Sequence, residues 1–397
     1  MHPPRGLSAL CYEEPFRVFF PLGAVLALVG VSLWPLFYFG ARAVYPGISH
    51  ARLMIEGFVA SFIIGFLGTA GPRVTSSFPF SRAEFFALLS LDVFAAGLHF
   101  SDANGAGDLT FCAMLLLLII ALGIRFSRRH DTPPRTFVLV ALGLITGAAG
   151  AALVGLNADA QYSRAYQLGD ALLSQCFPLL PVMGVAPFFV LRLLDAADSG
   201  LPQRPPPPWR SSLAFPALAG LLVVGTYVAD PLAVHFVSGW LRTAIVALYF
   251  AVQMPWRSRT FLADCLRSAI AAIVLGLVLM SLLPVYRIGA LHVVLISGIT
   301  FLIFTVATRV IFGHSGDTAR FERPLLPLVF AGILLLLATG SRLTADLAPA
   351  ARAVHLIAAA LCWLAGALIW MFYVLPRVTV VEPEENSASF DTVASSR

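Results

Sequence analysis

Leu109-Thr-Phe-Cys-Ala-Met-Leu-Leu-Leu-Leu-Ile-Ile-Ala-Leu-Gly-Ile-Arg125 decides the fold class. It runs from Leu109 to Ile124 without a charge and then meets Arg125, with Arg128 and Arg129 close behind. A helix crossing a bilayer needs roughly 20 mostly apolar residues, so a span over 109–126 with an arginine-marked end is expected. The rest of the 397-residue chain repeats the pattern. Hydrophobic residues make up 59% and charged residues 12%. That is about half the charge of a soluble domain, too little to cover a water-facing surface, and too apolar for a disordered chain.

Twelve segments read as spans, giving an all-α, multi-pass membrane protein. They lie near 18–40, 53–71, 84–100, 109–126, 137–156, 170–194, 211–229, 233–252, 262–283, 288–312, 325–343 and 352–375. The fifth carries Gly143, Gly147, Ala151 and Gly155 at four-residue spacing, a stripe that lets another helix approach closely. The sixth carries Pro178, Pro181 and Pro187, so a kinked or broken helix is expected. The stretch 201–210 holds four consecutive prolines and reads as a stiff spacer. It would separate a first six-helix half (1–200) from a second (211–377), with a polar, disordered tail (378–397) after it.

All 26 basic residues are arginines. With both termini on one side, that side collects seventeen of them, the opposite side six, and three fall within spans. Basic loops stay cytoplasmic, so both termini are placed in the cytoplasm. Scattered arginines between apolar runs are not a nucleic-acid footprint. The five cysteines are too far apart for CxxC or CxxCH and read as small apolar residues.

Eight histidines sort by this topology. His50, His99, His235, His292 and His355 fall near the outer interface on five different helices, whereas His2, His130 and His314 lie on the cytoplasmic side. Imidazole is the commonest metal ligand, and bundle sites are built from facing helices. An imidazole at an interface is also simply tolerated there with its polar tip wet. Three charges lie within spans: Glu56, Asp92 and Arg242. Glu56 and Arg242 are at similar depth and are expected to pair. Such residues face the bundle interior, and so does the polar tenth span with Ser297, Thr300, Thr305, Thr308 and Arg309. No Walker loop, GxSxG or HExxH is present.

Several stretches resemble the NnrS family. They are Phe16-Arg-Val-Phe-Phe20, His50-Ala-Arg-Leu-Met-Ile-Glu-Gly-Phe58 with Phe66-Leu-Gly-Thr-Ala-Gly-Pro72, Ala290-Leu-His-Val-Val294, Thr308-Arg-Val-Ile-Phe-Gly-His-Ser-Gly316, and the span from His355 to Leu375. The resemblance implies a bacterial inner-membrane protein of twelve helices. It implies metal binding, as haem iron and copper, and a role against nitric oxide and nitrosative stress. It implies His50, His292 and His355 as ligands, with His235 and His99 in reserve, and Arg309 and His314 as motif positions without an assigned role. The family's helix-two signature is HxHE, but here Arg52 stands in place of the second His and Leu53 in place of the Glu. A guanidinium does not ligate metals, and it matches a carboxylate. The expectation is therefore non-covalent, b-type haem with Arg52 on a propionate and no stoichiometric copper. The partners expected are lipid and nitric oxide or a related small molecule. Two other readings stay open: a secondary transporter using Glu56, Asp92 and Arg242 with helix six as gate, and a metal-free membrane scaffold.

The arginine bias makes a topological prediction. A reporter active only in the periplasm should be silent when fused in the Arg125–Arg135 loop and active when fused near Tyr45. The reverse result would overturn the orientation.

Overall fold

The computed structural model describes residues 11–195, 212–230, 235–254 and 260–380. The Pro-rich stretch 201–210 and most of the expected tail lie outside the described residues. Twelve apolar helices occur in order: α1 (Phe16–Tyr38), α2 (Gly47–Val74), α3 (Arg82–Phe100), α4 (Asn104–Ser127), α5 (Val138–Leu156), α6 (Arg164–Ala171, continuing to Phe177–Asp195), α7 (Ala214–Ala229), α8 (His235–Gln253), α9 (Phe261–Leu282), α10 (Arg287–His292, continuing to Phe301–His314), α11 (Leu326–Leu347) and α12 (Arg352–Val374). No strand occurs among the described residues. Eleven of the helices belong to segments long and apolar enough to span; α7, with 16 residues, is shorter. The chain ends bear on whether it crosses. The Arg17 guanidinium, at the start of α1, donates to the carbonyls of Val378 and, at 2.9 Å, Val380 just past α12. The two ends of the described bundle therefore meet on one face, as an even number of crossings with α7 among them would bring about.

Packing repeats with a period of four helices. In each group the first helix packs on the second, the second on the third and the third on the fourth; the fourth then meets the first helix of the next group, with α12 closing on α1. The second helix of each group, α2, α6 or α10, is the most enclosed. One continuous apolar core runs from Phe16 to Val378, so the two expected halves do not own separate cores. Phe304 of α10 stacks on Trp370 of α12 at 4.5 Å, and Phe58 of α2 meets Trp363 edge-on at 6.0 Å.

The same three inner helices each widen into a π-helical segment: Leu53–Val59 in α2, Leu172–Cys176 in α6 and Val293–Thr300 in α10. A π turn leaves carbonyls poorly paired, which hydrocarbon does not tolerate. Side chains fill the gap: Ser174 donates to the Asp170 carbonyl at 2.6 Å, and Thr300 to the Leu295 carbonyl at 3.0 Å. The expected break in helix six is thus a π turn just before Pro178, and the helix runs on through Pro181 and Pro187.

The small-residue stripe of α5 faces α6 at Gly143 and Gly147 and α4 at Gly155. A Cβ on Gly143 would lie 2.5 Å from Pro181, and one on Gly150 would lie 2.7 Å from the Leu173 amide nitrogen. Around Gly123 of α4 there is open space. Gly150→Ala should therefore destabilise the protein by about 1–3 kcal/mol through overpacking against backbone, while Gly123→Ala leaves the melting temperature unchanged. Equal effects of the two would contradict this packing.

Candidate functional site

Site residues gather at the end of the bundle opposite the chain termini. His50 lies just before the π segment of α2, and His292 just before that of α10. His50 Nδ1 is 2.9 Å from the Gly30 carbonyl, and His292 Nδ1 is 2.7 Å from the Ile288 carbonyl. A carbonyl only accepts, so both rings carry the proton on Nδ1 and present a bare Nε2. This is how metal-ligating histidines are oriented. Trp34 packs edge-on against His50 at 5.7 Å. The two imidazoles lie within electrostatic range of each other and of Arg342. Arg342, from α11, is 7% exposed and pairs with Asp346 at 2.9 Å.

Beside this pair lies a second, charged cluster. Arg52 Nε is 2.7 Å from Asp108 of α4 and 3.5 Å from Glu56, and Arg52 Nη1 is 3.0 Å from Asp170 of α6. Glu56 in turn meets His99 of α3, Oε2 to Nε2, at 3.0 Å. Arg52, Glu56, His99 and Asp108 are all at most 2% exposed. His99 reaches this position because residue 107 is glycine: a Cβ there would collide with its ring. Arg52 therefore gives its guanidinium to three carboxylates of its own chain, and the haem propionate expected as its partner is displaced from that role.

The three intramembrane charges do not converge. Glu56 pairs with Arg52 and His99. Asp92 accepts from Ser61 Oγ at 2.6 Å. Arg242 bonds Asp230 at 2.9 Å and Thr226 Oγ1 at 3.0 Å, and lies 3.6 Å over the Tyr227 ring. The expected Glu56–Arg242 pair is not formed. Equal depth does not make neighbours, and α8, which carries Arg242, packs on α7 and α9 rather than on α2. His355 of α12 is held against α11 through Ser341 Oγ, 3.3 Å from Nδ1. His235 heads α8, and its side chain lies outside the described residues.

The motif positions Arg309 and His314 sit at the terminal face. His292 and His314 are 22 positions apart on one helix, roughly 33 Å at 1.5 Å per residue, so His314 cannot share a ligand with His292. Thr308 accepts from the Trp370 indole at 2.9 Å, Arg309 lies 4.6 Å over Phe321, and Gly313 leaves room for the Arg309 guanidinium. His314 packs on Phe16 at 4.8 Å and lies 3.8 Å from Glu14. Glu14 also pairs with Arg17 at 2.6 Å and with Arg73. The family-like stretches at Phe16, Pro72 and Thr308 thus meet in one clasp, which spacing alone did not reveal.

These charges can be tested by substitution. Arg52→Gln leaves buried carboxylates without their counter-charge and should cost roughly 3–5 kcal/mol in a denaturant titration; adding Asp108→Asn should recover part of it, and strict additivity would contradict the cluster. At the clasp, burial alone raises the Glu14 carboxyl, but His314, Arg17 and Arg73 together outweigh it and hold the group below its ordinary value of 4.5. A depressed carboxyl stabilises fully above its unfolded value and loses that contribution as pH falls through the folded one. Melting temperature should therefore fall below about pH 4.5, and Glu14→Gln should flatten that limb. A limb unchanged in the variant would remove Glu14 from the account.

A search of curated proteins finds no match to the chain. The family model described as NnrS protein matches residues 11–380. That range takes in the clasp, the inner helices with their π segments and both polar clusters. The chain belongs to the NnrS family.

Proposed function

We propose that this protein is an inner-membrane haem protein of the bacterial response to nitric oxide, with a non-covalent b-type haem held at its periplasmic end. One observation carries the reading. His50 and His292 come from two inner helices that approach through Phe58 and Phe304, each with Nδ1 fixed on a carbonyl and Nε2 left bare. Haem, when bound, would supply a redox-active iron. The chain's own part is to fix both imidazoles in the ligating tautomer, to wall the site with Trp34, and to offer Arg342 as the cation for a propionate. Arg342 replaces Arg52 in that role because Arg52 faces three carboxylates of its own chain and Arg342 only Asp346.

These donors suit haem iron better than copper. Copper sites draw on thiolates, thioethers or several imidazoles, and the three-donor group found among the described residues is instead rich in carboxylates. The transporter reading loses its basis, since Glu56, Asp92 and Arg242 are each tied to separate partners.

Purified protein should show a Soret band with one haem per chain. His50→Ala and His292→Ala should each abolish or strongly alter it, Arg342→Gln should weaken haem retention, and His355→Ala should leave the spectrum intact. A full, unshifted Soret band in both His50→Ala and His292→Ala would place the iron elsewhere.

A further inference from the structure

We propose that Glu56, His99 and Asp108 form a binding site for a single divalent cation of hard or borderline character, such as Zn2+ or Mn2+, distinct from the His50–His292 pair. The three residues come from α2, α3 and α4. Each offers one ligand atom, all three atoms lie within 4.8 Å of one another, and all three residues are buried.

The hydrogen bonds around His99 show what the site lacks. Ser49 Oγ donates to Asp102 Oδ1 at 2.7 Å and so accepts from Asn104 Nδ2 at 3.2 Å. That fixes the Asn104 amide with Oδ1 toward His99 Nδ1, at 3.1 Å. A neutral His99 then donates from Nδ1 and keeps a lone pair on Nε2. That lone pair faces a carboxylate oxygen, Glu56 Oε2, at 3.0 Å. Two acceptors at that distance need a proton or a metal ion between them. Donors bound at about 2.1 Å to one cation sit about 3.0–3.4 Å apart, which the His99–Glu56 pair matches.

Two further observations agree. Glu56 Oε1 and Asp108 Oδ1 are enclosed and accept no hydrogen bond. Asp108 Oδ1 lies near Arg52 Nε, but out of alignment for one. The charge count also falls short: Arg52 alone faces the buried Glu56 and Asp108, and it is shared with the half-exposed Asp170. A divalent cation closes that count in a region where uncompensated charge is costly. One imidazole and two carboxylates suit zinc or manganese. The Asn104 contact is then the outer bond that orients a ligating histidine.

The test uses the full-length protein in detergent, stripped with a chelator, dialysed, and equilibrated with Zn2+ or Mn2+ alone. Wild type should retain a single equivalent of one of them, and so should His50→Ala and His292→Ala, which separates this site from haem binding. His99→Gln and Asp108→Asn should lose it. Asn104→Ala keeps every ligand but loses the orienting contact, and should weaken binding roughly 10- to 100-fold. If the ligand variants do not elute as wild type does, the Asn104→Ala affinity decides. No stoichiometric retention by wild type would mean the gap is filled by a proton and would overturn the proposal. So would undiminished binding in His99→Gln and Asp108→Asn, or in Asn104→Ala.

Discussion

In the hydrocarbon of a bilayer no water completes a broken backbone hydrogen bond, and every departure from a regular helix has to be satisfied by the protein itself. This constraint organises the molecule. The departures are confined to the three most enclosed helices, α2, α6 and α10. There, hydroxyls of Ser174 and Thr300 cover the loosened carbonyls. The polar residues that matter lie just ahead of those segments: His50 and Arg52 before the first, Asp170 before the second, His292 before the third. An extra residue in a turn rotates the two flanking halves of a helix by about 100° relative to each other. The π segments thus let the deep half of each inner helix keep its apolar packing while the other half turns its polar side chains toward one another.

The two ends of the bundle do different work. At the terminal face, Glu14, Arg17, Arg73 and His314 clasp the beginning of α1 to the end of α2, the end of α10 and the chain beyond α12. Arg17 and His314 come from stretches that resemble the family, and the chemistry of their contacts is that of a fastening. At the opposite face, imidazoles and carboxylates sit on separate helices with lone pairs unspent. A buried ion network gives weak evidence of stability by itself. The bare Nε2 atoms of His50 and His292 point to a ligand more directly than the charges do.

Most of the fold was legible in the sequence, because hydropathy reports a one-dimensional property. Eleven spans and the shorter apolar α7, their approximate limits, the close approach along the Gly143–Gly155 stripe and the interior position of helix ten are all consequences of it. Azimuth is not. Depth suggested that Glu56 and Arg242 pair, but α2 and α8 are not neighbours. Arg52 looked free to meet a propionate because its partners Asp108 and Asp170 lie 56 and 118 positions away, where each reads as an ordinary helix-end carboxylate. His99 looked interfacial, and the signal of its burial was Gly107 and Asn104, which have meaning only once α3 and α4 are paired. The π segments leave no mark in composition, apart from Pro178 just after the second.

The central claim is that His50 of α2 and His292 of α10 would together hold a haem iron. Electron paramagnetic resonance of the ferric protein as purified tests it most directly. Iron held by both imidazoles would give a low-spin signal that accounts for all the haem. A high-spin signal from iron with one protein ligand, or the absence of haem iron in protein made with haem in ample supply, would contradict it.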